Sequence, residues 1–258
     1  MKHHIDDNVL NEQLRTHLRA LKMPGLARKL DEVVRHAEAE RAGYRQFLVD
    51  VLSTERLSRD ASAINTRIRE AGFPEHKTLA EFDFNASDGI DPAVVGQLAT
   101  GVFVDNAENL ALIGPVGTGK THLGIAIGIE MCRRRKHVRF VRAADLVRQL
   151  LEARDQRELG RLTQRLQRAD LLIVDELGFV PFDRQGGEVL FNLLSQRHLR
   201  RSVLVTSNLA FSEWPMVFGG DEKLAAALLD RMAETATVIT TRGKSFRMRR
   251  RAGTGRAA

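Results

Sequence analysis

The residues best suited to chemistry begin with GPVGTGKT at 114–121, which follows the apolar run LALI. This stretch fits G-x-x-x-x-G-K-[ST], a loop whose backbone N–H groups surround the phosphates of a nucleotide. Gly117 and Gly119 let the backbone approach a ligand closely, because glycine has no β-carbon. The residues expected to bind the nucleotide are Gly114, Pro115, Val116, Gly117, Thr118, Gly119, Lys120 and Thr121.

Two side chains of this loop have more specific expected roles. Lys120 is positioned to reach the β- and γ-phosphates, and the Thr121 hydroxyl is positioned to bind Mg²⁺. The competing interpretation is a glycine-rich turn without a ligand. An apolar strand before the loop and a helix after it favour phosphate binding, because the N-terminus of a helix attracts an anion.

An acidic pair lies at the end of the apolar run in LLIVDEL, residues 171–177. Asp175 is the expected second Mg²⁺ ligand, although an exposed acidic pair at a strand end is the ordinary alternative. Glu176 can orient and deprotonate a water for attack on the γ-phosphate, which predicts hydrolysis rather than transfer to a second substrate. The chain has no N/T-K-x-D guanine motif, and this favours ATP over GTP.

Two further polar residues follow later strands and helices. Asn208, at the end of SVLVTSN, can hold the attacking water or contact the γ-phosphate, or it can be a cap or turn residue. Arg231, in ALLDRM, can complete the site of a neighbouring subunit, or it can pair with Asp230 or Glu234 on its own helix. The first interpretation of Arg231 predicts a homo-oligomer in the ATP state.

Five arginines recur through residues 145–170 at spacings of 3, 4, 4 and 3. If Gly160 does not break the helix, they share one face and could contact DNA phosphates. The alternative is a solvated face on which Glu152 and Glu158 are local partners. No aromatic residues are interleaved, so the pattern predicts contact with the DNA backbone without strong sequence specificity. These candidate DNA-binding residues are Arg154, Arg157, Arg161, Arg165 and Arg168.

Two other basic runs, RRRKHVRFVR at 133–142 and FRMRRRAGTGR at 246–256, could extend the same surface. The formal net charge is +7, with +8 concentrated in residues 109–169 and −6 in residues 73–108. Positive charge beside the phosphate-binding loop favours a polyanionic partner, and nucleic acid is preferred to a membrane.

Composition limits the class of protein further. The 258 residues are 43% hydrophobic with one cysteine, Cys132, which excludes an intramolecular disulfide. No run approaches the roughly 18 apolar residues of a membrane helix, and the first residues are too polar for a secretory signal. We therefore expect a cytoplasmic protein without a membrane partner.

The elements that must position these residues form two regions. Residues 1–74 have the apolar periodicity of about three helices, which predicts a small helical N-terminal domain. We expect this domain to bind DNA or a partner. Residues 75–97 resemble an interdomain linker, and residues 98–258 are expected to form the ATPase domain with a basic C-terminal tail. Short apolar runs alternating with helices predict an α/β fold with a doubly wound, parallel five-stranded sheet. The expected strands are at 110–113, 138–141, 171–175, 202–208 and 238–241.

The order of these motifs resembles the IstB-like ATPases, helper proteins of insertion-sequence transposons and members of the AAA+ P-loop NTPases. GPVGTGKTHLGIAIG, LLIVDELGFVPF, VLVTSNLAFSEW and ALLDRM carry this resemblance, together with LKMPGLARKLDE and the FP…KTLAEFDF segment. It covers nearly the whole chain. The family is also similar to the helicase loader DnaC.

The resemblance implies an ATP-driven oligomer that binds double-stranded DNA and presents it to a partner transposase. It would hydrolyse ATP to control the lifetime of this complex, with DNA stimulating the hydrolysis. The resemblance also implies roles for single residues: Lys120 and Thr121 bind ATP and Mg²⁺, Asn208 is the first sensor and Arg231 is the intersubunit finger. Two alternatives remain open at this point. One is a DnaC-like loader of a replicative helicase, and the other is a scaffold that binds ATP and scarcely hydrolyses it.

Overall fold

The computed structural model describes residues 7–243. The basic tail at 246–256 and the sequence GKSFRMR beyond Gly243 lie outside the described residues. The chain divides into two compact units, and the division falls after Thr66. This point lies inside the third helix, before the GFP turn at which the sequence suggested a boundary.

The first unit consists of helices α1 (Asp7–Ala20), α2 (Pro24–Ala39) and most of α3 (Tyr44–Ala71). Pro24 starts α2, where its missing N–H and fixed φ suit the first helical turn. A small core contains Leu18, Leu26 and Leu30. The apolar stripes are only partly buried, however, because Leu21 and Leu52 have exposed fractions of 65% and 61%.

The N-terminus of α2 has no capping side chain of its own, and Glu55 of α3 supplies the acceptor. The Glu55 carboxylate accepts the Leu26 N–H at 2.9 Å and pairs with Arg59 at 2.8 Å. Burial by itself raises the pKa of Glu55. The hydrogen bonds from Arg59 and Leu26, together with the Arg59 charge, outweigh burial and hold the pKa below its ordinary 4.5.

We expect Glu55→Ala to destabilise the first unit by about 2 kcal/mol, because hydrogen bonds to charged groups contribute roughly 1.5–3 kcal/mol. The folded pKa is lowered, so this stabilisation is complete above pH 4.5 and is lost as pH falls through the folded value. Hydrogen exchange of the α2 and α3 amides measures it. Glu38→Ala, an exposed position of α2, is the control, and equal loss of protection in both variants would contradict this role.

The second unit has a five-stranded, fully parallel sheet in the order β2-β3-β4-β1-β5. The predicted fold class is confirmed. The strands are β1 (Asn109–Ile113), β2 (Val138–Arg142), β3 (Leu171–Leu177), β4 (Ser202–Ser207) and β5 (Ala236–Thr240). The helices are α4 (Pro92–Ala99), α5 (Val102–Asp105), α6 (Lys120–Arg133), α7 (Ala143–Asp155), α8 (Leu159–Gln167), α9 (Arg184–Arg197), α10 (Trp214–Val217) and α11 (Glu222–Ala233).

Helices cover both faces of this sheet, so its central strands β1, β3 and β4 are almost wholly buried. Successive residues of β3 point to opposite faces. Ile173 joins the core cluster beneath α6, whereas Leu172 and Val174 join the cluster formed with α7 and α9. Burial on both faces explains why LALI and LLIV are uninterrupted apolar runs rather than alternating ones.

Residues 75–97, which the sequence suggested as a linker, pack within the second unit. Phe82, Ile90 and Val95 are buried in the same core cluster as α6 and β1. Asp83 caps a 3₁₀ turn at Phe84–Ala86, and Asp91 caps α4. Two acidic residues of this segment therefore cap helical turns. Its apolar residues pack into the core of the sheet domain.

The arginine-rich stretch does not form one continuous helix. The chain leaves α7 at Asp155 and enters α8 at Leu159, and Arg157 between them has a left-handed φ of 60°. Such a residue interrupts the helical path, so Arg154 and Arg157 do not continue the face formed by the later arginines. The break lies before Gly160, which is itself helical. Arg161, Arg165 and Arg168 alone keep the predicted spacing on one helix and its C-terminal cap.

Among the helices of residues 7–243, none is both long and apolar enough to cross a membrane.

Candidate functional site

The phosphate-binding loop joins the buried end of β1 to the start of α6. Its backbone requires glycine at Gly114, where a β-carbon would lie 2.2 Å from the Thr241 carbonyl oxygen. At Gly119, φ is 94° and a β-carbon would lie 2.9 Å from the Phe82 ring. Only glycine fits at these two positions, because Thr241, which follows β5, and Phe82 of the 75–97 segment lie against the loop.

Lys120 begins α6 and folds back over the loop. Its ammonium donates hydrogen bonds to the carbonyl oxygens of Gly114 at 2.6 Å and Pro115 at 2.7 Å. Burial lowers the pKa of Lys120, while the negative charges of Asp175 and Glu176 oppose that shift. The ammonium therefore lies inside the loop, close to the two carboxylates that were expected to complete the site.

Three side chains connect the loop to β3 and β4 through a short hydrogen-bond relay. Asp175 is only 1% exposed, and its Oδ1 accepts hydrogen bonds from Thr121 Oγ1 at 2.9 Å and Thr206 Oγ1 at 2.6 Å. Thr206 Oγ1 in turn accepts the backbone N–H of Glu176 at 2.9 Å. Thr206 thus ties the Asp175 carboxylate to the backbone of the next residue.

Glu176 leaves the strand in an unusual conformation. Its φ is 59°, and the pairing of β3 with β4 shifts register between Val174 and Leu177. Such bulges redirect side chains and are frequent beside active sites. Consequently Asp175 stays buried while Glu176 is exposed to the cleft, where Arg142 Nε at the end of β2 lies 3.7 Å from Glu176 Oε2.

Asn208 follows the last residue of β4 and joins the same neighbourhood. A small cleft of about 60 Å³ is lined by the loop residues Gly117, Lys120 and Thr121 together with Glu176, Thr206 and Asn208. The structure therefore brings together the predicted loop, acidic pair and amide, which are far apart in the sequence.

A larger cleft of about 330 Å³ lies beside the loop, and the 75–97 segment forms one of its walls. Phe82 stacks edge-on against His122 of α6 with ring centroids 5.2 Å apart. The His122 Nε2 also lies 3.0 Å from the Thr78 carbonyl oxygen. The size of this cleft and its position next to the phosphate loop suit the base and sugar of a nucleotide.

The residues around Asp175 fit Mg²⁺. Thr121 and Asp175 offer a hydroxyl and a carboxylate, and their oxygens are already within 2.9 Å of each other. Magnesium prefers oxygen ligands and commonly uses one or two protein groups in addition to substrate phosphates and water. A hydroxyl and a carboxylate beside a phosphate-binding loop meet that requirement.

Arg231 lies outside both clefts and contacts α9 of its own domain. Its Nη1 donates to Ser195 Oγ at 2.5 Å, and its guanidinium lies 5.2 Å from the centre of the Phe191 ring. Neither Asp230 nor Glu234 pairs with it among the described residues; Glu234 instead pairs with His198. The proposed intersubunit role of Arg231 stays a prediction.

The five candidate DNA-binding arginines have different surroundings. Arg154 donates to Gln185 Oε1 at 2.9 Å, and Arg161 pairs with Glu158 at 3.2 Å. Arg157 is exposed in the turn between α7 and α8, and Arg165 and Arg168 are exposed near the end of α8. Their contacts with DNA stay a prediction, and the structure does not bring all five together on one helical face.

Sequence reasoning missed three contributors to the site: Thr206, Arg142 and Phe82. Thr206 precedes Asn208 in VTSN, and a hydroxyl near the end of a buried strand is a detectable signal. Arg142 could have been found because it ends the strand that pairs with β3. The role of Phe82 depends on how the 75–97 segment folds back, which no local pattern indicates.

Known proteins with similar sequences are ATP-binding proteins, in agreement with a nucleotide site at the phosphate-binding loop. The family model for IstB-like ATP-binding proteins matches residues 16–254. An ATP-binding protein of insertion sequence IS21 from Pseudomonas aeruginosa is 36% identical over 243 residues, covering 94% of this chain and 91% of that protein. An ATP-binding protein of insertion sequence IS5376 from Geobacillus stearothermophilus is 32% identical over 240 residues, covering 93% and 95%.

Solved structures share the fold at lower identity. DnaI has a TM-score of 0.55 at 21% identity, with 69% of this chain and 94% of that chain covered. AMPPCP-bound DnaA from Aquifex aeolicus has a TM-score of 0.55 at 20% identity, with 66% and 51% covered. The shared fold, the family match over most of the chain and the geometry of the phosphate site all indicate a protein that binds ATP. The chain belongs to the IstB-like ATP-binding protein family and is an ATPase.

Proposed function

We propose that this ATPase is a transposition helper that assembles on double-stranded DNA in the ATP state and presents that DNA to a partner transposase. The observation that carries the proposal is the grouping of Lys120, Glu176 and Asn208 around one cleft. This grouping supports timed hydrolysis rather than ATP storage. A transposase is the proposed partner because the relatives are named as insertion-sequence proteins.

The residues of the cleft would divide the work of hydrolysis. Glu176 orients a water and accepts its proton as the water attacks the γ-phosphorus; the bond from that phosphorus to the β–γ bridging oxygen breaks and ADP leaves. Asn208 holds the attacking water or a γ-phosphate oxygen. Lys120 exchanges its bonds to the loop carbonyls for bonds to the β- and γ-phosphates. Thr121 and Asp175 would hold Mg²⁺, which supplies charge neutralisation for the phosphates when bound.

Oligomerisation would bring Arg231 of one subunit to the ATP of the next. A finger arginine stabilises charge that develops on the phosphates and acts across an interface. Because Arg231 contacts Ser195 and Phe191 in the isolated chain, subunit assembly must exchange those contacts for phosphate contacts. The helical region 1–74 would then bind DNA or the partner, while residues 98–258 supply the ATPase.

DNA binding in defined nucleotide states tests the proposal. We expect fluorescence anisotropy to show tighter binding to unrelated duplexes with ATP than without nucleotide, and light scattering to show larger assemblies under the same conditions. A partner transposase should be retained only on the ATP-bound complex. Absence of DNA binding in both nucleotide states would contradict the proposal, and retention of a replicative helicase instead would support the loader alternative.

A further inference from the structure

A cluster of arginines surrounds a cleft of about 430 Å³ in the second unit, and we call it the basic cleft. Its floor includes Val138 and Ala169, which are buried beside the start of β2 and β3. Only one carboxylate, that of Glu70, lines it. The charged and polar residues of the basic cleft are Arg67, Glu70, His137, Arg139, Arg165 and Arg168.

The basic cleft is separate from the nucleotide site. Val138 begins β2 and Leu171 begins β3, so the cleft lies at the amino-terminal edge of the parallel sheet. The phosphate-binding loop follows the carboxyl end of β1 at the opposite edge. A five-residue strand spans roughly 16 Å, and a ligand in the basic cleft therefore does not occupy the ATP position.

The positive charge of the cleft is not neutralised within the second unit. Across residues 67–243, the side chains of Arg165 and Arg168 form no hydrogen bond or ion pair, and the buried Nε of Arg67 has no acceptor. Arg139 donates to the Glu70 carbonyl oxygen at 2.5 Å, which leaves its charge uncompensated. The nearby Asp170 is engaged by Arg201 at 2.6 Å. An anionic ligand would supply the missing charge.

The backbone that carries Arg165 and Arg168 is held rigidly. Arg197 is completely buried and donates to the carbonyl oxygens of Leu166 at 2.8 Å and Ala169 at 2.9 Å. A further bond from Arg197 reaches the Ser202 carbonyl oxygen at 2.9 Å. This network holds the end of α8 against the sheet. A backbone that is already ordered loses less conformational entropy when a ligand binds.

We propose that the basic cleft binds successive phosphates of a DNA backbone, a proposal that rests on the function proposed above. Guanidinium groups match phosphate oxygens with paired N–H donors. Since no Phe, Tyr or Trp ring lines the cleft, the arginines present fit contact with the phosphate backbone better than stacking on bases. Of the five arginines that the sequence suggested, the proposal assigns DNA contacts to Arg165 and Arg168. It assigns none to Arg154 and Arg161, which have partners within the protein.

The test compares two double variants of the full chain. Arg165→Gln with Arg168→Gln removes charge from the cleft, whereas Arg154→Gln with Arg161→Gln removes equal charge from arginines that already have partners. Affinity for duplex DNA with ATP is measured over a range of salt concentrations. The cleft variant should bind about 10-fold more weakly, with a log–log salt slope smaller by about 2, because each phosphate contact contributes roughly 0.9 to the slope.

The control variant should keep the affinity and slope of the unmodified chain, and both variants should retain its thermal unfolding temperature and its ATPase rate without DNA. An unchanged salt slope in the cleft variant overturns the cleft assignment while leaving the proposed function intact. A change in self-association without a change in slope also overturns it, and indicates an acidic segment of a second copy as the occupant. Absence of DNA binding by the unmodified chain contradicts both proposals.

Discussion

Glu176→Gln is expected to lower the rate of ATP hydrolysis at least 100-fold, because general base catalysis contributes about 10²–10⁴-fold. The amide retains the shape of the side chain and cannot accept the proton of the attacking water. ATP affinity should change little, since the loop, Lys120 and the Asp175–Thr121 pair are untouched. The backbone N–H of Glu176 bonds to Thr206 independently of the side chain, so the bulge should persist.

Phosphate release and nucleotide binding, measured on the same protein, separate these effects. Glu222→Gln, at an exposed position in the first turn of α11, controls for loss of one carboxylate. We expect hydrolysis by this control to match the unmodified chain. A Glu176→Gln protein that hydrolyses ATP at the unmodified rate would exclude Glu176 as the base and make Asp175 the remaining acidic candidate.

Lys120→Ala is expected to abolish measurable hydrolysis and to weaken ATP binding strongly. Removing one preorganised donor to developing charge costs about 10²–10³-fold in rate, and Lys120 also contributes to ground-state binding of the β- and γ-phosphates. The variant should fold, because Lys120 contributes only hydrogen bonds to the Gly114 and Pro115 carbonyl oxygens and alanine is a good helix former at the start of α6. Isothermal titration with a non-hydrolysable ATP analogue measures the loss.

The matched control for this change is Lys223→Ala, which removes an exposed lysine from α11. Analogue affinity of the control should equal that of the unmodified chain. Retention of full affinity by Lys120→Ala would show that Lys120 stays on the loop carbonyls and does not reach the phosphates. The two variants have opposite signatures: Glu176→Gln keeps ATP bound, and Lys120→Ala prevents its binding.

Much of the sheet domain could be predicted because each strand is a short apolar run between helices. The five observed strands lie within a few residues of the predicted ones. Parallel topology then forces the ends of β1, β3 and β4 to one edge. This is why residues as distant in sequence as Lys120, Glu176 and Asn208 could be expected to meet.

The remaining features depend on tertiary contacts that have no local signal. Segment 75–97 contains caps, turns and acidic residues that are typical of a linker, yet Phe82 reaches the nucleotide loop and Ile90 the core. The arginine stretch has helical spacing throughout, but Arg157 adopts a left-handed φ and ends the repeat. Arg197, Arg139 and Arg67 become related to Arg165 only when the edge of the sheet has assembled.

We propose that ATP hydrolysis at this site limits how long the protein stays on DNA. The most direct test of this claim is dissociation from labelled duplex DNA in ATP after addition of excess unlabelled DNA. Glu176→Gln should leave DNA about tenfold more slowly than the unmodified chain, because the difference lies in the dissociation rate rather than in the association rate. Equal dissociation rates in ATP, with hydrolysis lost in Glu176→Gln, would contradict the claim.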